Sequence, residues 1–426
     1  MAQICDFDEI LDRKGSGCFK YDGLEKEFGR SDLLPLWIAD MDFRTPDFIT
    51  GALKKRLEHP VLGYPVTPDD YFDTVAGWVE NLHGWRVDSS YIRYIPGVVK
   101  GIGMVMDTFL KEGDKVVIQP PVYHPFRLVP EKKGIEVVFN PLLPVYEDGC
   151  GKLCDMLGAD RDRRLTGYRM DLDSLECLLD SDRRIRLLVL SNPHNPAGIC
   201  WDSDTLKRLA EITSVRGVIV VSDEIHSEMA LGNSVHVPYA SVSGCAASNS
   251  ITFMAPSKTF NMAGVVSSYA IVPDEGLRGR FFSHLESGEF DSPSIFAVVA
   301  TMAAYREGME WRNRMLDYVL GNVRFVDGWL KENLPAVRAL CPQASFLVWL
   351  DCRSLGLAQP ELVNLFLDGA HLALNDGSMF GCGCGNRQTT DVGCGFMRLN
   401  VGCPRSVLEN ALERLRNACL NYKNER

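Results

Sequence analysis

Residues 217–226 read GVIVVSDEIH, and this stretch decides the fold class of the chain. An uninterrupted run of β-branched residues is typical of a strand that is buried on both faces of a parallel sheet. The run ends at Asp223, where a buried carboxylate would be costly unless a cationic group neutralised it. The stretch therefore predicts a buried parallel strand with an acidic group at its carboxyl end.

Similar apolar runs lie on both sides of this stretch, and helical patterns separate several of them. The stretch from Val98 to Leu110, for example, has its apolar residues at helical spacing. The other runs are KVVIQ (115–119), IEVVF (135–139), RLLVLS (186–191), ITFMA (251–255) and YAIV (269–272). Strands that alternate with helices predict an α/β domain whose mostly parallel sheet is covered by helices.

The chain is long enough for more than one domain. We predict that residues 46–289 form a large domain around the parallel sheet and that residues 290–426 form a smaller α+β domain. The second region is mostly helical, with one strong strand at SFLVWLD (345–351) and an amphipathic helix after Pro404. Residues 1–45 are expected to pack with the small domain. The glycines, aspartates and arginines of residues 146–169 indicate a solvated surface insertion.

The overall composition argues against several classes of protein. Hydrophobic residues make up 46% of the chain and charged residues 24%, and the net charge of −11 combines both signs, so a large nucleic-acid footprint is not expected. No apolar run approaches the roughly 18 residues of a membrane span, and the start MAQICDFDEI lacks a signal-peptide pattern. We therefore expect a cytoplasmic protein without membrane or nucleic-acid partners.

Fourteen cysteines are scattered along the chain, which indicates reduced thiols rather than a disulfide framework. Four of them, Cys382, Cys384, Cys394 and Cys403, lie close enough in sequence to be considered as a metal site. Structural zinc sites usually contain C-x₂₋₄-C pairs, whereas this group begins with C-x-C and its other spacings are long. We therefore predict no metal site and interpret these cysteines as small buried residues or parts of a glycine-rich loop.

Four polar motifs lie at the ends of predicted strands, where parallel α/β sheets bind their ligands. They are PGVVKGI (96–102), SNPHNPAG (191–198), VSDEIH (221–226) and SKTFN (257–261). The first offers free N–H groups at a helix start, which suit a phosphate. Asn195 offers an amide for a ring oxygen, Asp223 a carboxylate for a pyridinium nitrogen, and Lys258 an amine for a Schiff base. Together these groups predict a site for pyridoxal 5′-phosphate (PLP).

The order of these motifs resembles that of the class I/II aminotransferases, a group of fold-type I PLP enzymes. The resemblance rests on N-P-x-N-P-x-G, S-D-E-I-H, S-K-T-F-N and F-M-R-L-N. Four further segments resemble the cystathionine β-lyase branch of bacterial C–S lyases: LPLWIADMDF (34–43), GYP (63–65), PPVYHPF (120–126) and RLNVGCPRS (398–406). The resemblance covers nearly the whole chain and implies the aspartate aminotransferase-like fold. The chain departs from the pattern at residues 146–169 and in the cysteine-rich loop 381–385.

The resemblance implies a role for each motif residue around PLP. Lys258 would form the Schiff base with the cofactor. The phosphate would be held by Ser257 and by the backbone of Val98, Val99 and Lys100. Tyr123 would stack on the ring, Asn195 would bind its hydroxyl oxygen and Asp223 its nitrogen. His226 would contact the ring oxygen or lie next to the groups that do.

The same resemblance assigns the substrate side and a subunit contact. Arg398 would bind the substrate carboxylate through a planar two-point contact. Ala39 and Asp40 would border the leaving group, and Tyr123 would assist its departure. Tyr64 would reach the phosphate of the neighbouring subunit, which implies a homodimer with shared active sites.

The reaction expected from the resemblance is an α,β-elimination. L-cystathionine or another S-substituted cysteine would yield pyruvate, ammonia and a thiol, with Lys258 as the general base. A PLP-dependent aminotransferase is the alternative, because it begins with the same proton removal. A non-catalytic regulatory protein that retains the fold is a third possibility, against which the intact Lys258, Asp223, Asn195 and Arg398 argue.

Overall fold

The computed structural model describes residues 6–152, 163–382 and 391–424 of the chain. Its strands are β1 (Leu34–Pro35), β2 (Ile92–Ile95), β3 (Lys115–Ile118), β4 (Glu136–Phe139), β5 (Leu143–Tyr146), β6 (Gly149–Cys150), β7 (Leu165–Arg169), β8 (Ile185–Ser191), β9 (Ile219–Asp223), β10 (Ser250–Met254), β11 (Ser268–Ile271), β12 (Arg338–Leu340), β13 (Leu347–Asp351), β14 (Leu372–Ala373), β15 (Asn375–Asp376) and β16 (Phe396–Asn400). Its α-helices are α1 (Phe19–Asp22), α2 (Leu24–Phe28), α3 (Asp47–Leu57), α4 (Tyr71–His83), α5 (Val98–Phe109), α6 (Pro125–Lys132), α7 (Leu172–Ser181), α8 (Ser203–Ser214), α9 (Gly244–Ser248), α10 (Glu275–Ser287), α11 (Ile295–Glu307), α12 (Met309–Asn333), α13 (Gln359–Asn364) and α14 (Arg405–Asn424).

Within the described ranges, a seven-stranded sheet has the strand order β2-β11-β10-β9-β8-β3-β4. Strands β4, β3, β8, β9 and β10 run parallel, and β11 and β2 complete one edge in antiparallel pairing. The chain leaves β3 toward β4 on one side, whereas β8, β9 and β10 follow on the other. The strand order therefore reverses between β3 and β8, and sheets of this kind bind ligands at such a point.

The register of the central strands aligns their carboxyl ends. Ser191 of β8 lies opposite Asp223 of β9, and Asp223 lies opposite Phe253 of β10. Residues that follow these strands, such as Asn195 and Lys258, are therefore brought to the same edge of the sheet.

Helices cover both faces of this sheet. In β8, Leu188 and Leu190 pack with residues of α7 and α8, whereas Leu187 and Val189 pack with residues of α5 and α10. Burial on both faces explains why these strands are continuous apolar runs. The predicted α/β class with a mostly parallel sheet is confirmed. No helix in the described ranges combines the length and apolar character needed to cross a bilayer.

A second sheet, antiparallel and in the order β12-β13-β16-β15, lies toward the C-terminus. Arg398 of β16 lies opposite Trp349 of β13 and Asn375 of β15. The N-terminal segment joins this region, because β1 pairs in parallel with β14 and the Asn400 N–H donates to the Leu36 carbonyl. The domain boundaries at residues 45 and 290 stay predictions.

The expectation of a solvated insertion at residues 146–169 holds only in part for the described residues, because Glu147, Asp148 and Arg169 are exposed but the segment also forms regular strands. There β5 pairs with β6 and β7 in an antiparallel sheet. Tyr146, Leu165 and Tyr168 are buried in an apolar cluster with Trp349, whose indole donates to the Tyr168 hydroxyl at 3.2 Å. Pro144 in β5 and Gly167 in β7 are residue types disfavoured inside strands, which concealed these two elements. Residues 153–162 lie outside the described residues.

Candidate active site

The predicted polar motifs meet in one cavity of about 320 Å³ at the carboxyl edge of the central sheet. This volume lies at the lower end of the range for small-molecule sites. The predicted site residues that line the cavity are Ala39, Val98, Val99, Lys100, Tyr123, Asn195, Asp223, His226, Ser257 and Lys258. The fold thus brings together groups that are spread over more than two hundred positions of the sequence.

The start of α5 forms the part of the cavity that suits a phosphate. Gly97 precedes the helix with a backbone φ of 116°, a conformation that favours glycine. The N–H groups of Val98, Val99 and Lys100 lie in the first turn, where a helix provides them with no internal partner. Ser257 is buried and lines the same cavity. These groups can bind a phosphate through backbone and hydroxyl hydrogen bonds.

Asp223 is a buried carboxylate at the end of β9. Burial raises the pKa of its carboxyl group to about 7, while a hydrogen bond from the Ile225 N–H, 3.1 Å long, and the charge of Lys258 act in the opposite direction. Among the described residues, Asp223 forms no ion pair. A protonated pyridine nitrogen would supply the positive charge that this site lacks.

Lys258 is half-buried after β10, and its Nζ donates a 2.6 Å hydrogen bond to the Ala39 carbonyl. Burial lowers the pKa of this amine to about 8; Arg398 acts in the same direction, and the charges of Asp40 and Asp223 oppose it. A lysine with a lowered pKa has a substantial neutral fraction near neutral pH, and the neutral amine is the nucleophile and the base.

Asn261 anchors the turn that carries Lys258 to the N-terminal segment. Its backbone has a φ of 50°, in the left-handed region that asparagine tolerates better than most residues. Its side-chain amide donates to the carbonyls of Met41 at 2.9 Å and Phe43 at 2.7 Å, and its Oδ1 accepts the Met41 N–H at 3.0 Å. These bonds hold the lysine turn against the segment that contains Ala39.

Arg398 is a buried guanidinium behind the cavity, of whose lining it is not a part. Its Nη1 donates to Asn195 Oδ1 at 3.0 Å, and its Nη2 donates to the Trp37 carbonyl at 3.1 Å and to the Asn375 side chain. Its Nε is buried and has no hydrogen-bond partner among the described residues. Burial lowers the Arg398 pKa to about 10, against the effect of Tyr123. Since no carboxylate of the described residues pairs with it, the guanidinium is available to an anionic ligand.

His226 and Tyr123 line the cavity as neutral groups. His226 is buried, and burial lowers its pKa to about 3, with Lys258 and Arg398 acting in the same direction. Its Nδ1 has no partner in the described residues. Burial raises the pKa of the Tyr123 phenol above its ordinary value. Tyr123 therefore keeps its proton at neutral pH and can offer it in a hydrogen bond.

Two further predicted residues do not line the cavity of the single chain. The Asp40 carboxylate binds Arg13 at 3.1 Å and lies 3.7 Å from the Lys20 amine, so it acts on Lys258 through its charge. Tyr64 is fully exposed. Its predicted contact with a phosphate requires a second subunit and stays a prediction.

The four cysteines considered as metal ligands differ in their surroundings. Cys403 is buried, and Cys382 and Cys394 are half-buried; Cys384 lies outside the described residues. Within the described ranges, no group of three or more His, Cys, Asp or Glu side chains is placed to hold a metal ion. The absence of a metal site stays a prediction.

The family described as "Aminotransferase class I and II" matches residues 31–415. The chain belongs to this family. Cystathionine beta-lyase PatB of Bacillus subtilis (strain 168) is 40% identical to this class I and II aminotransferase chain over 413 residues, which are 97% of the chain and 99% of the relative.

Two solved structures are similar over almost the full length of the chain. Cystalysin from Treponema denticola, whose structure contains a PLP cofactor, has a TM-score of 0.88 and 29% identity and covers 99% of this chain and 100% of its own. The PLP-bound C–S lyase from Staphylococcus hominis has a TM-score of 0.83 and 27% identity and covers 98% of this chain and 99% of its own. The predicted family and the predicted aspartate aminotransferase-like fold are confirmed.

Three positioning residues of this family member were not predicted from its sequence: Lys20, Asn261 and Asn375. Lys20 is fully buried, and its amine binds the Asp42 carboxylate at 2.8 Å and the Asp40 carbonyl at 3.2 Å. It thereby holds the segment that follows Ala39. Asn261 stood inside the S-K-T-F-N motif, which was a usable signal, whereas Lys20 and Asn375 belong to no motif.

Proposed function

We propose that the chain is a PLP-dependent carbon–sulfur β-lyase that cleaves L-cystathionine or a related S-substituted cysteine to pyruvate, ammonia and a thiol. The observation that carries the proposal is the placement of the Lys258 amine, with a pKa of about 8, in the same cavity as the buried Asp223. The preference for carbon–sulfur cleavage is supported by the 40% identity to cystathionine beta-lyase PatB.

The residues of the cavity fit PLP in three respects. Asp223 is buried without an ion-pair partner among the described residues, the start of α5 offers free N–H groups, and Asn195 keeps its amide N–H groups because its Oδ1 accepts from Arg398. When bound, PLP supplies an electrophilic carbon that links to an amino group and a ring that withdraws electron density.

The side chains of the protein perform the binding and the proton movements. Arg398 binds the substrate carboxylate and so fixes the orientation of the amino acid. Lys258 takes the Cα proton onto Nζ, because its lowered pKa makes the neutral amine accessible near neutral pH. Asp223 would pair as a carboxylate with the ring nitrogen of the cofactor. Tyr123 offers its phenol hydrogen to the sulfur as the carbon–sulfur bond breaks.

We place this activity in a cytoplasmic homodimer with shared active sites. The support for a dimer is a run of exposed apolar side chains, with Val61 60%, Leu62 58%, Tyr64 105% and Val66 85% exposed. A contiguous apolar run of this kind marks an interaction site, and a second copy that covered it would bring Tyr64 to the cofactor phosphate of its partner. Cysteines such as Cys18, Cys200, Cys352 and Cys403 are free thiols, which supports a reducing compartment.

The deciding experiment supplies L-cystathionine to the PLP-loaded protein without any keto acid. We expect pyruvate and free thiol in equal amounts over many turnovers, since elimination needs no acceptor. A Lys258→Ala variant is the control and should release neither product. Turnover that depends on an added keto acid and releases no thiol would contradict the lyase proposal and identify an aminotransferase.

A further inference from the structure

A second cavity, of about 300 Å³, lies behind the segment that follows β9. It is next to the active-site cavity, because His226 lines that cavity and the adjacent residue, Ser227, lines the second one. The remaining wall comes from the end of α4, the loop of residues 230–236 and the start of α12. None of the residues assigned to the cofactor or the substrate lines this second cavity.

The cavity contains the buried guanidinium of Arg312, for which the described ranges supply no counter-ion. Arg312 is 9% exposed; its Nε donates to the Glu228 carbonyl at 2.7 Å and its Nη1 to Asn313 Oδ1 at 2.9 Å. Among the described residues, no carboxylate forms an ion pair with it, and its Nη2 makes no hydrogen bond. Burial lowers the Arg312 pKa, against the charge of Glu228. A guanidinium in this state gains from any anion that reaches it.

Two more buried side chains in the lining each have one polar atom without a hydrogen-bond partner in the part of the chain that the structure describes. Ser227 is 2% exposed, and its Oγ has no partner. His236 is 3% exposed; its Nε2 lies 2.7 Å from the Glu224 carboxylate, and its Nδ1 has no partner. Native proteins rarely leave buried polar atoms unsatisfied, so such atoms around one cavity point to a missing ligand.

His83 adds a third nitrogen-bearing group to the same wall. Its ring packs edge-on against His236 with 5.1 Å between the ring centroids. Burial lowers the pKa of His83 well below its ordinary value, and the charges of His236 and Arg312 act in the same direction. The acidic residue of the lining is Asp317, which is exposed, while Glu224 and Glu228 lie behind the wall. The interior of the cavity is therefore short of negative charge.

We propose that this second cavity binds a small oxyanion, a carboxylate or a phosphate group, through Arg312, Ser227 and His236. The guanidinium presents planar paired donors that match either group. The Ser227 hydroxyl donates to an oxygen of the anion. His236 contributes its Nδ1, which has no partner among the described residues, while Glu224 holds its Nε2.

Isothermal titration calorimetry of the PLP-loaded protein tests this site, with inorganic phosphate in one arm and malonate in the other. We expect at least one of them to bind at one site per subunit. Arg312→Gln should weaken this binding at least tenfold. Arg314→Gln, a change of the same kind on the same helix outside the cavity lining, should leave it unchanged. The arm that responds to Arg312→Gln identifies the anion as a phosphate or a carboxylate.

Ser227→Ala is a second test of the site, and it remains informative if the Arg312→Gln variant does not fold. The Ser227 hydroxyl has no partner in the described part of the chain, so its removal breaks no hydrogen bond there, and we expect severalfold weaker binding. Anions held elsewhere, such as at Arg398, would bind equally well to both variants, and that result would overturn the proposal. The absence of any binding at tens of millimolar phosphate or malonate would overturn it as well.

Discussion

Burial moves the pKa values of Asp223 and Lys258 in opposite directions, because it disfavours the charged form of each. The pKa of the Asp223 carboxyl group rises to about 7, and the pKa of the Lys258 amine falls to about 8. Burying these two side chains therefore lowers the stability of the folded chain, whereas an exposed pair would not. A cofactor that carries a cationic ring nitrogen and links to the amine offsets both costs.

The apoenzyme should show the Asp223 contribution as a pH dependence of stability. The pKa is about 7 in the folded chain and about 4 in an unfolded one, so the folded chain binds more protons between these values and its free energy of unfolding falls as the pH rises through them. From pH 5 to pH 8, we expect the parent to lose roughly 2–3 kcal/mol relative to Asp223→Asn. Urea unfolding at both pH values measures this loss, and an equal pH dependence of the two proteins would contradict it.

The strands of the central sheet were predictable because burial on both faces makes each one a continuous apolar run. Strands β3, β4, β8, β9, β10 and β11 begin and end within two residues of their predicted positions, and the motif residues followed from their places at strand ends. Strands β5 and β7 were not predicted, because Pro144 interrupts the first and Gly167 the second. The contacts of Asn261 and Arg398 were beyond prediction, since Asn261 binds residues about 220 positions away and only the folded chain brings them together.

The turn after β10 should depend on the Asn261 side chain. Asn261→Ala removes three hydrogen bonds and places alanine at a positive φ, which should lower the free energy of unfolding by about 2–4 kcal/mol. Asn261→Gly, the matched control, loses the same bonds without the backbone strain and should lose about 1 kcal/mol less. Both variants should have a lower kcat, because Lys258 is held less firmly. Urea unfolding that places both within about 0.5 kcal/mol of the parent would rule out this anchor.

The whole molecule exposes apolar side chains along residues 61–66 that no neighbouring element of the described chain covers. This segment lies between α3 and α4 and contains Tyr64, whose predicted contact is in another subunit. In the proposed dimer, association would supply Tyr64 to the cavity of the other chain, so we expect the dimer to be the catalytic unit.

Co-expression of two inactive variants tests whether the sites are shared. Tyr64→Ala removes the contributed tyrosine, and Lys258→Ala removes the amine. In a mixed dimer, one of the two sites contains both native residues, so random pairing should restore activity to about a quarter of all sites. Each variant alone is the control. No restored activity in mixed dimers, or full activity of a monomer in sedimentation, would refute the shared site.

The hydrogen bond from Lys258 ends on the main-chain oxygen of Ala39, and no side chain is needed to accept it. A backbone acceptor persists when the residue around it is replaced, whereas the side chain at this position borders the cavity. A larger or more polar residue at position 39 would therefore narrow this side of the cavity or add a polar contact to it, while the amine keeps its hydrogen-bond acceptor. Substitutions at this position, in nature or in a laboratory library, can therefore be selected for new thioether substrates without removing the acceptor that orients Lys258.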